Sequence, residues 1–80
     1  MSDVEKRVKE VTVKTLKVDL ARVTNDAKFA EDLGAESIQS IELIAAFEEE
    51  FDIEMDEDAA TAVKTVGGAI TFIQNMLDNP

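Results

Sequence analysis

Apolar residues recur along this chain at helical spacing, and the polar residues between them mark where each helix should start and stop. Val4, Val8 and Val11 fall on one face and are continued by Thr15 and Leu16. Ser2 and Glu5 have the capping-box spacing, which predicts a helix beginning at Ser2. Val4, Val8, Val11, Thr12, Val13 and Thr15 are all β-branched, so packing must supply most of its stability. From about Val18 to Ala35 the period breaks. Thr24, Asn25, Asp26 and Gly34 are turn formers there, and Val23, Phe29 and Leu33 read as apolar anchors that pin an ordered loop to the core. A second helix runs from Ser37 to about Glu50, with Ile38, Ile41, Ile44, Ala45 and Phe47 as its stripe and Phe51 closing it. Ser37 is its expected N-cap.

The alternation Asp52-Ile53-Glu54-Met55-Asp56-Glu57-Asp58 has the period of a strand. Its charge and the following Ala59-Ala60-Thr61-Ala62-Val63 favour a loop and a short helix capped by Asp56 or its neighbour. The last helix starts near Thr65, with Val66, Ile70, Ile73 and Leu77 on one face, and Asn75, Asp78, Asn79 and Pro80 end it. Glycine occurs only at Gly34, Gly67 and Gly68 and proline only at Pro80, so the helical stretches are almost unpunctuated. The expected fold is all-α: one domain, residues 1–80, with three main helices, one short helix and a long loop between the first and second.

Composition removes several chemistries. The chain has neither Cys nor His, which excludes disulfides, thiolate zinc sites and Ser-His or Cys-His nucleophilic catalysis. A non-catalytic protein is expected. The 18 acidic and 8 basic side chains give a formal net charge of -10. Such a surface repels nucleic acid and anionic lipid and favours basic partner proteins. No apolar run is long enough to span a bilayer and no signal-type stretch follows the N-terminus, so a cytoplasmic monomer is expected. Disorder is rejected, because 45% of the residues are hydrophobic and they are periodic. The series Asp52, Glu54, Asp56, Asp58 lacks the glycine and terminal glutamate of an EF-hand loop, so no metal ligand is assigned.

The segment Asp32-Leu33-Gly34-Ala35-Glu36-Ser37-Ile38 places a serine where a glycine-containing loop becomes a helix. A serine there is most often a plain cap. It is also reachable by another protein's active site, and a phosphate on its oxygen suits the helix N-terminus. Asp32 and Glu36 flank it with carboxylates that a basic enzyme can grip.

Around this segment the chain resembles the type II acyl carrier proteins. Asp32-Leu33-Gly34 followed by Glu36-Ser37-Ile38 and a Glu-rich apolar helix is similar to the family's Asp-Leu-Gly and Asp-Ser-Leu signature. Val23-Thr24-Asn25-Asp26-Ala27, Phe29, the stretch from Phe47 to Glu54, and Lys64-Thr65-Val66-Gly67 also match, so the resemblance covers nearly the whole chain. It implies that Ser37 receives a covalent 4′-phosphopantetheine from coenzyme A through a phosphopantetheinyl transferase. The arm's thiol would then hold acyl groups as thioesters for synthase, transferase and ligase enzymes with basic patches, in fatty acid, polyketide or related synthesis. A chain without cysteine needs such a borrowed thiol. The resemblance further implies a partner-docking set of Asp32, Glu36, Ile38, Ile41, Glu42, Ala45, Glu48 and Glu49. An acyl pocket would be lined by some of Leu43, Ile44, Phe47, Phe51, Val63, Ile70 and Ile73, each of which also reads as core packing. Glu36 and Ile38 stand where the family has Asp and Leu, which points to a specialised carrier with a dedicated partner set. The other readings are a carrier of aminoacyl or peptidyl groups and an acidic interaction module without a prosthetic group.

Overall fold

A computed structural model of the chain describes residues 3–79, in which the first periodic segment is helix α1 (Asp3–Leu16). The Ser2–Glu5 capping box lies outside the described residues. Val4, Val8, Val11, Thr12 and Leu16 are buried, as the spacing requires, while Thr15 is only half-buried. The Thr12 hydroxyl is wholly buried and donates to the Val8 carbonyl at 2.8 Å, which satisfies a polar group inside the core. The helix stops at Lys17, whose φ of 56° puts it in the left-handed region and lets its N–H donate to the Val13 carbonyl at 2.8 Å.

The loop that follows contains a 3-10 turn at Leu20–Arg22 that the sequence pattern does not announce. Val23, Phe29 and Leu33 are buried as expected, joined by two smaller anchors, Ala27 and Ala35. The loop also caps a distant helix, α4 (Val66–Asp78). The Val66 N–H donates to the Ala27 carbonyl at 3.0 Å, and the Gly67 N–H donates to the Asn25 carbonyl at 2.8 Å. Thr65, the N-cap, accepts the Gly68 N–H on its hydroxyl at 3.0 Å. Three of the four orphan amides of the α4 start are thereby satisfied, two of them by loop backbone. A single antiparallel bridge, Lys28 with Thr65, runs beside this contact. Within α4, Val66, Ala69 and Ile73 are buried. Ile70 is only half-buried and Leu77 is 38% exposed, so the inward face is rotated from the expected stripe toward Ala69.

Helix α2 spans Ser37–Phe51 and buries Leu43, Phe47 and Phe51. This corrects the stripe read from the sequence, because Ile38 is 67% and Ile41 57% exposed and Ala45 also faces solvent. At about 100° per residue, Ile38, Ile41 and Ala45 stand on the side of α2 opposite Leu43 and Phe47. The helix ends on Asp52, left-handed at φ 54°, whose N–H reaches the Glu48 carbonyl. Helix α3 (Glu57–Thr61) is short and buries only Ala60, and the Asp56 carboxylate caps it by accepting from the Asp58 N–H at 3.0 Å. The alternation at 52–58 is thus a loop and a cap, as its charge suggests. Helix α1 packs against both α2 and α4, while α3 leans on α2 alone among the helices in substantial contact with it.

Arg7 ties α1 to the end of α2. Its guanidinium donates to the Glu50 carbonyl at 2.6 Å and to the Glu50 carboxylate at 2.8 Å, and lies 4.5 Å from the Phe51 ring centroid. Solvent weakens the ion pair, so the carbonyl bond and the ring contact dominate. Arg7→Ala is expected to destabilise the fold by about 1–2 kcal/mol in urea titration. Arg7→Lys should recover less than half of that, because an ammonium cannot serve carbonyl, carboxylate and ring together.

Candidate functional site

The junction before α2 is built by Glu36 and Gln39. Glu36 is extended (φ −84°, ψ 170°), and its carbonyl accepts the first helical bond from the Ser40 N–H at 2.9 Å. Gln39 Oε1 reaches back to accept the Glu36 N–H at 3.0 Å. The N-cap is therefore Glu36, which corrects the expectation that Ser37 caps the helix. Ser37 is the first helical residue, exposed, with its hydroxyl released from capping. Gly34, at φ 71°, turns the loop so that the Ala35 N–H can donate to the Phe29 carbonyl at 2.8 Å before the helix begins.

A cavity of about 590 Å³ opens beside this serine. Its walls come from the loop (Phe29), from α2 (Ser37, Ser40, Ile41, Leu43, Ile44, Phe47), from Met55, Ala60 and Val63 around α3, and from Ala69 and Phe72 of α4. Of the seven candidates, Leu43, Ile44, Phe47 and Val63 line it. Phe51, Ile70 and Ile73 do not: Phe51 is buried under Arg7, Ile73 is fully buried in the core, and Ile70 packs against that core. Phe29, Met55 and Phe72 were missed. Their contribution depends on how the loop and α3 fold over α2, which spacing along one helix cannot reveal.

The remaining expected residues divide by what holds them. Glu36, Ile38, Ile41, Glu42, Ala45 and Glu49 are exposed on or beside α2. Asp32 is exposed too, but its carboxylate accepts the Lys28 N–H at 2.8 Å and so closes the turn at 28–32. Glu48 is half-buried and accepts the Met55 N–H at 2.9 Å, bracing the loop that follows α2. No group of three or more Asp or Glu among the described residues is placed to hold a metal ion. No helix among them is long and apolar enough to cross a membrane.

The residues fit a covalently attached phosphate arm. An exposed hydroxyl not engaged in capping sits at the positive end of a 15-residue helix, on the edge of an apolar cavity. Comparison with known proteins shows the family of the chain. The profile of the phosphopantetheine attachment site family matches residues 6–73. The chain is 51% identical to an acyl carrier protein of Phenylobacterium zucineum (strain HLK1) over 77 residues, 96% of this chain and 98% of the relative. It is 49% identical to an acyl carrier protein of Caulobacter vibrioides (strain NA1000 / CB15N) over 73 residues, 91% of this chain and 94% of the relative. The chain belongs to the phosphopantetheine-attachment family and, within it, to the acyl carrier proteins, which hold acyl groups on a covalent 4′-phosphopantetheine. When attached, that group supplies the thiol that a sequence without cysteine lacks. Membership also implies encounters with a phosphopantetheinyl transferase and with acyl-handling enzymes.

Proposed function

We propose that Ser37 is the attachment residue, that the exposed face of α2 is read by partner enzymes, and that the cavity shelters the acyl chain between encounters. The observation that supports this reading best is the Ser37 hydroxyl, exposed at the first position of α2 and lining the cavity. The helix N-terminus stabilises a phosphate on that oxygen. Leu43, Ile44 and Phe47 supply an apolar wall that removes an acyl chain from water. Glu36, Glu42 and Glu49 sit in solvent near Ile38, Ile41 and Ala45, an acidic surface with apolar contact points between. Basic patches on synthase, transferase and ligase enzymes fit it, and association driven by such charge is fast and salt-sensitive. Glu48 and Asp32 contribute negative charge while one oxygen of each stays engaged at home. The chain acts as a single non-catalytic domain over residues 1–80, a cytoplasmic monomer that associates with neither nucleic acid nor membrane. Its acidity supports the lack of nucleic-acid and membrane partners, and its lack of His and Cys supports the non-catalytic role. Fatty acid and related acyl synthesis is the setting that fits best.

Coexpression with a phosphopantetheinyl transferase should add one phosphopantetheinyl group by intact mass. An unmodified product would sink the reading. The shape of the approach to Ser37 is tested separately. Glu36→Asp with Ile38→Leu draws the carboxylate inward by one methylene and replaces a β-branched contact, so modification by a transferase of general fatty acid synthesis should speed up. An unchanged initial rate would show that these two positions are not what a transferase reads.

A further inference from the structure

Two neighbouring residues can cap α2, and only one of the two outcomes leaves Ser37 free as a nucleophile. Serine is among the preferred N-caps and glutamate is not. By that preference alone Ser37 would cap the helix, its oxygen turned back to accept from the Gln39 or Ser40 N–H. The structure holds the less favoured cap. Glu36 occupies that position, its carbonyl accepts the Ser40 N–H at 2.9 Å, and Ser37 is the first helical residue. The serine is exposed and stands on the edge of the cavity. The Ser40 amide is therefore the contested group: it serves the Glu36 carbonyl here and would serve the Ser37 hydroxyl in the alternative. Gln39 bears directly on this choice. Its Oε1 accepts the Glu36 N–H at 3.0 Å, from the third position of a helix that starts at Glu36. That reach is specific to a cap three residues before the acceptor, so it favours Glu36 over Ser37.

We infer that Gln39 is a positioning residue for the modification: by holding the Glu36 amide it starts α2 one residue early and keeps the Ser37 hydroxyl free to react. The inference rests on Ser37 as the attachment point. In the reaction the Ser37 oxygen bonds to the phosphorus of coenzyme A that carries the pantetheine. The bond from that phosphorus to the bridging oxygen breaks, and adenosine bisphosphate leaves with that oxygen. The hydroxyl proton passes to a base of the transferase. A hydroxyl engaged in capping enters this step only after its bond to the amide is broken. Gln39 acts through Glu36 and has no contact with coenzyme A in this role.

The test uses the full chain, coenzyme A and a phosphopantetheinyl transferase, with initial rates followed by intact mass over a range of carrier concentrations. Gln39→Ala should lower kcat about fivefold, the shift in population that one hydrogen bond can produce. KM should stay within about twofold, because Ile41, Glu42, Ala45 and Glu49 remain exposed on α2 for docking. Gln39→Glu keeps an acceptor at the same reach and should retain the wild-type kcat. Thermal unfolding reports which residue caps. Ser37→Ala should hardly move Tm in the wild-type background, yet lower it by about 4 °C in Gln39→Ala, where the serine has become the cap. An unchanged kcat in Gln39→Ala overturns the inference. A fall in kcat that Gln39→Glu does not restore, or that leaves Ser37→Ala without cost in the Gln39→Ala background, overturns it too, since the transferase would then be reading the carboxamide itself. If the wild type gains no mass, the reading of Ser37 fails and this inference falls with it. A wild type that loads no faster than Gln39→Ala defeats the inference alone.

Discussion

Ser37→Ala is expected to gain no mass from coenzyme A and transferase, yet to unfold at the same urea concentration as the wild type. Both halves follow from the register of α2. Had Ser37 been the N-cap, alanine there would cost about 1 kcal/mol. The cap is instead Glu36, closed by Gln39 at 3.0 Å, and Ser37 already has helical backbone with its side chain in solvent. Alanine is the best helix former, so stability should move by no more than about 0.5 kcal/mol. The modification, by contrast, should be lost entirely, because no other hydroxyl stands at the head of this helix. Ser40 lines the same cavity one turn on and is the natural control. Ser40→Ala should still be modified. Modification that persists in Ser37→Ala and vanishes in Ser40→Ala would move the attachment point by that turn. A stability loss near 1 kcal/mol in Ser37→Ala would restore the serine as a cap.

Which parts of this arrangement are legible in the sequence depends on how far a residue's environment is set by its own neighbours. Val4, Val8 and Val11 recur on an otherwise polar helix, so their burial can be read directly. Val23, Phe29 and Leu33 stand out for the same reason: large apolar residues in a polar loop have nowhere else to go. Ala27 and Ala35 are equally buried but too small to announce it. Helix α2 was harder. Apolar residues at 38, 41, 43, 44, 45 and 47 cover most of its circumference, and only the position of α1 decides that Leu43 and Phe47 face inward while Ile38 and Ile41 face out. The apolar residues left outside are the ones a docking partner would meet. The head of α2 was misassigned because Glu36 and Ser37 are both able to cap, and the backward reach of Gln39 settles the competition. Glu48 shows the same limit. Within Glu48-Glu49-Glu50 it reads as one of three solvated acids, and only the fold brings the Met55 N–H to it. Lys28 and Lys64 lie far apart in the chain, and the backbone bridge of Lys28 with Thr65 beside α4 brings their segments together. The serine motif was legible because it is local. The cavity beside it is made of four segments, and its composition was only partly so.

Gly67→Ala tests how that cavity is held together. At most helical positions this exchange stabilises by up to about 1 kcal/mol. Here a Cβ would lie 2.9 Å from the Asn25 carbonyl oxygen, and that same oxygen accepts the Gly67 N–H at 2.8 Å. The obstacle is backbone, so no rotamer change can relieve it. The loop must back away from α4, weakening its bond to Gly67 and straining the adjacent bond from Val66 to Ala27. Two amides at the head of α4 then lose partners, with Val66 fully buried, at roughly 1 kcal/mol or more each. The expected net loss is about 2–3 kcal/mol, a fall in Tm on the order of 10 °C or more for a domain of this size. Gly68→Ala is the contrast. Its nearest neighbours would be the Thr65 hydroxyl at 3.2 Å and a Val63 methyl at 3.4 Å, both side-chain atoms able to give by a few tenths of an ångström. Its effect should be well under half that of Gly67→Ala. Because Lys28, Phe29 and Lys64 belong to the segments the loop would disturb, Gly67→Ala should also narrow the difference in stability between acylated and unacylated protein. A variant that keeps wild-type Tm would mean that the loop moves without cost. The bonds from the α4 amides to the Asn25 and Ala27 carbonyls would then not be what closes this side of the cavity.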